Sequence, residues 1–168
     1  MKTIGTYHKN RSALWAILLL AILVTSCCED DSATDPWQAE VERLKDAIAP
    51  LTNLDQAIGA GYDTDLTGYR TQMGHHYLKP ELLDNTFELT KPEVLLFAPD
   101  ANEVMQFVAV EYAVPIEDMD NPPPPPEGFT GDADVWEINT EFNVWTLHVW
   151  VGRENPHGIF AARNPTLP

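Results

Sequence analysis

Between Asp35 and Leu51 the apolar residues Trp37, Val41, Leu44, Ile48 and Leu51 fall at spacings of 4, 3, 4 and 3, the repeat of one face of an α-helix. Asp35 stands as N-cap, with Pro36 at the first helical position and Gln38 at the third, a capping-box start. Pro50 bends or ends this helix. Thr52-Asn53 can cap a second short helix, from Leu54 to about Ala60, closed by Gly61. The stripe reads as a core face rather than a partner-binding groove. Beyond Gly61 the period changes. Asp63 to Gly74 is polar and glycine-punctuated, so it reads as loop. Val94-Leu-Leu-Phe97 and Met105 to Val114 are β-rich runs joined through Pro99 to Glu103 as a hairpin with a longer turn. Asn121 to Gly128, with five consecutive prolines, reads as an extended, polyproline-type spacer. Val135 to Ile138 and Val144 to Val151 read as further strands, and Asn155-Pro-His-Gly158 as a turn. No repeat occurs. A helical segment followed by an antiparallel sheet makes residues 35–168 a single α+β domain.

The first 26 residues obey a different pattern. Lys2, Lys9 and Arg11 precede an unbroken apolar run of 12, from Ala13 to Val24. A membrane-spanning helix needs about 20 such residues, so the run has signal-peptide length. Val24-Thr25-Ser26-Cys27 resembles the bacterial lipobox, in which small residues precede a cysteine that is lipidated and becomes the mature N-terminus. The resemblance implies a signal peptide at 1–26, a lipidated Cys27 and a polar tether over 27–34. It implies a lipoprotein of the bacterial cell envelope, held to the membrane by acyl chains. Asp directly after the lipidated Cys retains enteric lipoproteins in the inner membrane. Here that place is Cys28, and Glu29-Asp30-Asp31 is similar to surface-export signals of some Bacteroidota lipoproteins. Both lean toward the outer membrane, on its periplasmic or surface face. A solvated tether explains the same acids.

Charge sharpens this division. The chain carries 10 Lys and Arg against 26 Asp and Glu, a formal −16, and shedding the three leader cations leaves −19. Such a body has no basic patch with which to release counterions from nucleic acid or to hold anionic lipid. Both cysteines, Cys27 and Cys28, sit at the cleavage point, which excludes a disulfide framework or thiolate metal site from the domain.

The remaining candidates are histidines and one carboxylate. Period two puts Val144, Thr146, His148 and Trp150 on one face of their strand. On the preceding long strand it puts Glu111 on a face with Phe107, Ala109 and Ala113. Each strand thus carries one ionisable group among apolar or small residues, which is costly unless the group is paired or bound to a cation. The cheapest resolution is that Glu111 and His148 meet. In Gln72-Met-Gly-His-His-Tyr77 adjacent residues point to opposite faces, so at most one of His75 and His76 joins them. His76, Glu111 and His148 together have the composition of a 2-His-1-carboxylate site for Fe(II) or another divalent transition metal, or of a His₂Glu zinc site. A hydrogen-bonded Glu–His pair that only orders the core is the alternative. There is no Gly-x-Ser-x-Gly, Walker or dinucleotide motif. Acid clusters at Asp63/Asp65, Glu117/Asp118/Asp120 and Asp132/Asp134 do not complete a calcium loop and read as solvated. Trp136, Trp145 and Trp150 read as core before they read as a ligand pocket.

Gln72 to Tyr77, Pro92 to Phe97, Phe107 to Tyr112, Leu147 to Val151, Asn155 to Gly158 and Asn164-Pro165 resemble segments of a family of uncharacterised exported bacterial proteins. These share Met-Gly-x-His-Tyr, Val-Glu-Tyr, Leu-His-Val-Trp and Asn-Pro-x-Gly in this order. The likeness runs from about Gly61 to Pro165 and brings no established activity. It matches His76, Tyr77, Glu111, Tyr112, His148, Trp150, Asn155 and Gly158, puts His75 on a variable position, and places Ala162 where many relatives have Trp. It implies a shared site at His76, Glu111 and His148, with Tyr77, Tyr112 and Trp150 around it. Three functions follow: a metal- or small-ligand-binding envelope domain, a non-catalytic envelope interaction protein, or a metal-dependent enzyme.

Overall fold

In the computed structural model, residues 1–3 and 35–168 are described. The leader and its apolar run, Cys27 and the tether up to residue 34 therefore lie outside the described residues, apart from the first three. No helix among the described residues is long and apolar enough to cross a membrane. The domain is α+β, with helices preceding a six-stranded antiparallel sheet.

Helix α1 spans Pro36–Ile48 and buries Val41, Leu44 and Ile48, the centre of the apolar stripe, while Trp37 and Leu51 pack at its margins. Its start differs from a capping box. The Asp35 side chain makes no cap bond, and its carbonyl accepts the Gln38 amide at 2.9 Å instead. Pro36 already removes one unpaired donor there. At Pro50 the chain tightens into a single 3₁₀ turn, Ala49–Leu51. Helix α2, Leu54–Gly59, is capped by the Asn53 side chain accepting from the Gln56 amide at 3.1 Å. Gly61 follows at φ +98.

The strands are β1 Thr64–Asp65, β2 His75–Leu78, β3 Val94–Pro99, β4 Met105–Pro115, β5 Glu137–Asn139 and β6 Val144–Val149, in the spatial order β1-β2-β3-β4-β6-β5. The segment read as loop over residues 63–74 contains β1, a two-residue edge strand paired with β2. It is short and exposed, so no alternation marks it in the sequence.

Each strand sends alternate side chains to two cores. Leu95, Phe97, Val110, Tyr112, Leu147 and Val149 meet the buried stripe of α1 together with Phe129 and Phe160. Leu78, Val94, Leu96, Ala98, Ala109, Ala113, Val144 and Trp150 form the second core, closed by Leu66 and Met73 of the loop before β2 and by Leu167 near the C-terminus. One departure from strict period two matters. Leu96 pairs with Ala109, yet Phe97 pairs with Phe107, so Val108 is an extra residue at a β-bulge. The bulge turns Phe107 onto the helix-side core, 5.7 Å from the Phe97 ring, not onto the face of Glu111 as simple alternation predicts.

The loop and the C-terminal tail hold each other across the second face. Gln72 donates its amide to Pro168 and accepts from the Asn164 amide, both at 2.9 Å. Gly74, at φ +98, brings the chain into β2 so closely that a Cβ there would lie 2.6 Å from the Phe97 carbonyl oxygen. Only glycine meets both demands.

Candidate metal centre

Three strands place the three candidate ligands on the second face. His76 lies in β2, Glu111 in β4 and His148 in β6, and Glu111 and His148 are direct cross-strand partners. His76 is two strands from Glu111. Between them β3 offers Val94 and Leu96, the partners of Glu111 and His76, over which the longer imidazole and carboxyl side chains reach each other. All three are nearly inaccessible, His76 and His148 at 5% and Glu111 at 6% exposure. One ligand atom from each lies within 4.8 Å of the others.

The spacing is informative. His76 Nε2 stands 3.8 Å from Glu111 Oε2, and His148 Nε2 stands 3.8 Å from Glu111 Oε1. Both are beyond hydrogen-bond length, so the carboxyl is flanked by two imidazole nitrogens and bonded to neither. His148 Nε2 is buried with no hydrogen-bond partner among the described residues, a state that buried polar atoms rarely occupy. Two ligands of one ion at 2.0–2.2 Å are separated by about 3–3.5 Å. The two His–Glu gaps exceed that separation by only a few tenths of an ångström.

The surroundings set the protonation states. Burial holds the His76 imidazole down to about 4, and the Arg70 charge acts in the same direction. Burial holds His148 down to about 3, with contributions from His76 and Arg163. Burial pushes the Glu111 carboxyl up to about 8, reinforced by buried Glu93. At neutral pH the histidines are thus neutral, the form in which imidazole binds metals, and the carboxyl awaits a cation that would compensate its ionisation.

Thr67 orients His76. Its hydroxyl donates to the Gly68 carbonyl at 2.7 Å and lies 3.1 Å from His76 Nδ1. A hydroxyl has one proton, so toward the ring Thr67 accepts, and Nδ1 carries the hydrogen. The Nε2 lone pair is left facing Glu111, the usual arrangement by which an outer hydrogen bond aims a ligating histidine. On the other side the Trp150 ring stacks on His148, with centroids 6.2 Å apart and 12° between planes. Trp150 is itself tied to the tail through its indole N–H and the Ala161 carbonyl.

Trp150 therefore adjoins the site as the sequence suggests, whereas Tyr77 and Tyr112 do not. Each follows a site residue directly, so strand alternation turns it to the opposite face. Tyr77 packs on Phe97, and Tyr112 donates to the Leu89 carbonyl in the helix-side core. His75 also points away, pairing with Asp65 at 2.8 Å. Of the other tryptophans, Trp136 packs against Phe87 on the helix side and Trp145 donates to the Pro123 carbonyl of the proline run. Thr67 was missed because it sits in an irregular loop, where no periodicity assigns a side chain to a face.

The three ligands border a cavity of about 370 Å³, walled by Leu66, Met73, Leu78, Val144 and Phe142 and bounded by Arg70 and Arg163. A cation held by His76, Glu111 and His148 would keep coordination positions open on the cavity side. Comparison with protein-family models, with curated proteins and with solved structures finds no match to this chain.

Proposed function

We propose that this protein is a bacterial envelope lipoprotein whose folded domain binds a divalent transition metal through His76, Glu111 and His148. One observation carries the metal assignment. Three buried ligand atoms from three strands converge without hydrogen-bonding each other, and one of them, His148 Nε2, has no partner among the described residues. A core that needed only order would be better served by a bonded pair, because each unmade buried hydrogen bond costs about 1–3 kcal/mol. A two-histidine, one-carboxylate set suits Fe(II), Zn(II) or a neighbouring ion rather than Ca²⁺ or Mg²⁺, which favour all-oxygen shells.

The experiment is metal analysis of the full chain purified in detergent, beside a His76→Ala/His148→Ala variant. Near-stoichiometric metal in the parent and loss from the variant is the expected result. Negligible metal in both, after incubation with Fe(II), Zn(II) and Co(II), would overturn it and leave a non-catalytic interaction protein as the reading.

The anchor and the outer-membrane address rest on the sequence: the basic start, the apolar run of 12 and Val24-Thr-Ser-Cys27, with Cys28 in place of a retention aspartate. Cys27→Ser should release the protein from the membrane fraction. Retention of that variant would count against lipidation.

A further inference from the structure

Residues 35–168 carry seven Lys and Arg against 23 Asp and Glu, yet two of those seven cations, Arg70 and Arg163, border one cavity. The cavity has two carboxylates in its lining. Glu111 is the candidate ligand at its floor. Glu141 is engaged by Arg70 through two bonds, at 2.8 and 2.9 Å. Arg163 differs: its guanidinium has a single bond, from Nη1 to the Thr71 carbonyl at 3.3 Å, and forms no ion pair among the described residues.

The backbone beneath Arg163 is fixed unusually firmly for a chain terminus. Its carbonyl accepts from Asn155 Nδ2 at 3.0 Å. Asn164, fully buried, donates its side-chain amide to the Glu154 carbonyl and its backbone amide to Gln72. Its Oδ1 also accepts from the Thr166 amide and hydroxyl. Asn155 and Asn164, both followed by proline, are therefore the devices that hold this arginine at the border of the pocket. A second donor lies on the same lining: Asn139, whose Oδ1 is taken by the Glu141 and Phe142 amides, has its side-chain NH₂ left over.

We infer that this cavity takes a small organic carboxylate, with its acid group on Arg163 and its apolar body against Leu66, Met73, Leu78 and Phe142, above the His76–Glu111–His148 floor. The inference rests on reading that cavity as the ligand site and names the class of its ligand. Guanidinium and carboxylate match as planar, two-point partners. The volume of about 370 Å³ lies at the compact end of small-molecule sites. A cation on the floor adds to the attraction, since its two charges exceed the one on Glu111.

Benzoate serves as the probe and benzamide, its neutral isostere, as the control, titrated calorimetrically into the full chain in detergent with and without Co(II). Benzoate should bind about tenfold more tightly than benzamide, the worth of one partly exposed charge-assisted pair. Arg163→Gln should erase that preference, with an unshifted thermal melt reporting an intact fold. Arg163→Lys should keep part of it. Equal affinity for acid and amide in the parent, binding of neither, or a preference that survives Arg163→Gln would each overturn the proposal. Co(II) absorption spectra are read separately. Absent Co(II) binding with a benzoate preference intact removes the metal and keeps the anion site, and the converse result does the opposite.

Discussion

Glu111→Gln separates the cost of the site from its purpose. Glu111 is 6% exposed and its carboxyl is pushed up to about 8 from an ordinary 4.5, first by burial and then by Glu93. The folded protein without metal therefore holds a proton that the unfolded chain releases. The contribution is fully present below pH 4.5 and fades as pH rises toward 8, because a folded-state value above the unfolded one favours folding only while both states are protonated. At pH 7 the penalty is about 3 kcal/mol. Gln is permanently neutral and nearly the same shape, so the metal-free variant should be more stable than the metal-free parent at pH 7 by about 2–3 kcal/mol, and equal to it near pH 4. For a domain of this size each kcal/mol moves Tm by about 3–4 °C. Metal should reverse the ranking. At a thousandfold excess over Kd it stabilises the parent by about 4.1 kcal/mol and leaves the variant unmoved. Thermal melts at pH 4 and pH 7, with chelator and with Zn(II) or Co(II), read all four quantities. A chelated variant less stable than the chelated parent at pH 7, or an equal metal response in both, would refute the reasoning.

Other outcomes follow from the same geometry. Thr67→Val keeps the shape but removes the acceptor for His76 Nδ1–H; metal affinity should fall about 10–100-fold with little change in far-ultraviolet dichroism. Gly74→Ala meets both the positive φ and the Phe97 carbonyl, and should cost at least about 2 kcal/mol in denaturant melts. Asn164→Ala, which leaves the Glu154 carbonyl and two Thr166 donors without their partner, should cost about 2–3 kcal/mol. It should also weaken benzoate binding through Arg163 more than it weakens metal binding.

Local pattern accounts for much of what was legible in the chain. The α1 stripe, the Asn53 cap, the β3–β4 hairpin and the shared face of His148, Thr146 and Trp150 are all set by neighbours within a few residues. The pairing of Glu111 with His148 was readable because two isolated ionisable residues on apolar strands must find each other or a cation. Thr67 and Arg163 were not readable, since each lies in a segment with no period and reaches the site through contacts distant in sequence. The same limit explains Phe107. An added residue at Val108 changes the parity of everything before it in β4, and nothing in Phe107-Val-Ala-Val-Glu111 itself marks where the bulge falls.

Side-chain period and burial cost are local properties, so the chain's pattern carried both helices, the longer strands, the acidic surface and the three chemically awkward interior residues, but not the short edge strand β1. Tertiary structure decided the rest: strand order brought His76 across β3 to Glu111, and the loop–tail pairing set Arg163 above the cavity. Those outcomes depend on which strands become neighbours, a long-range choice fixed by the packing of two whole sheet faces rather than by any segment alone.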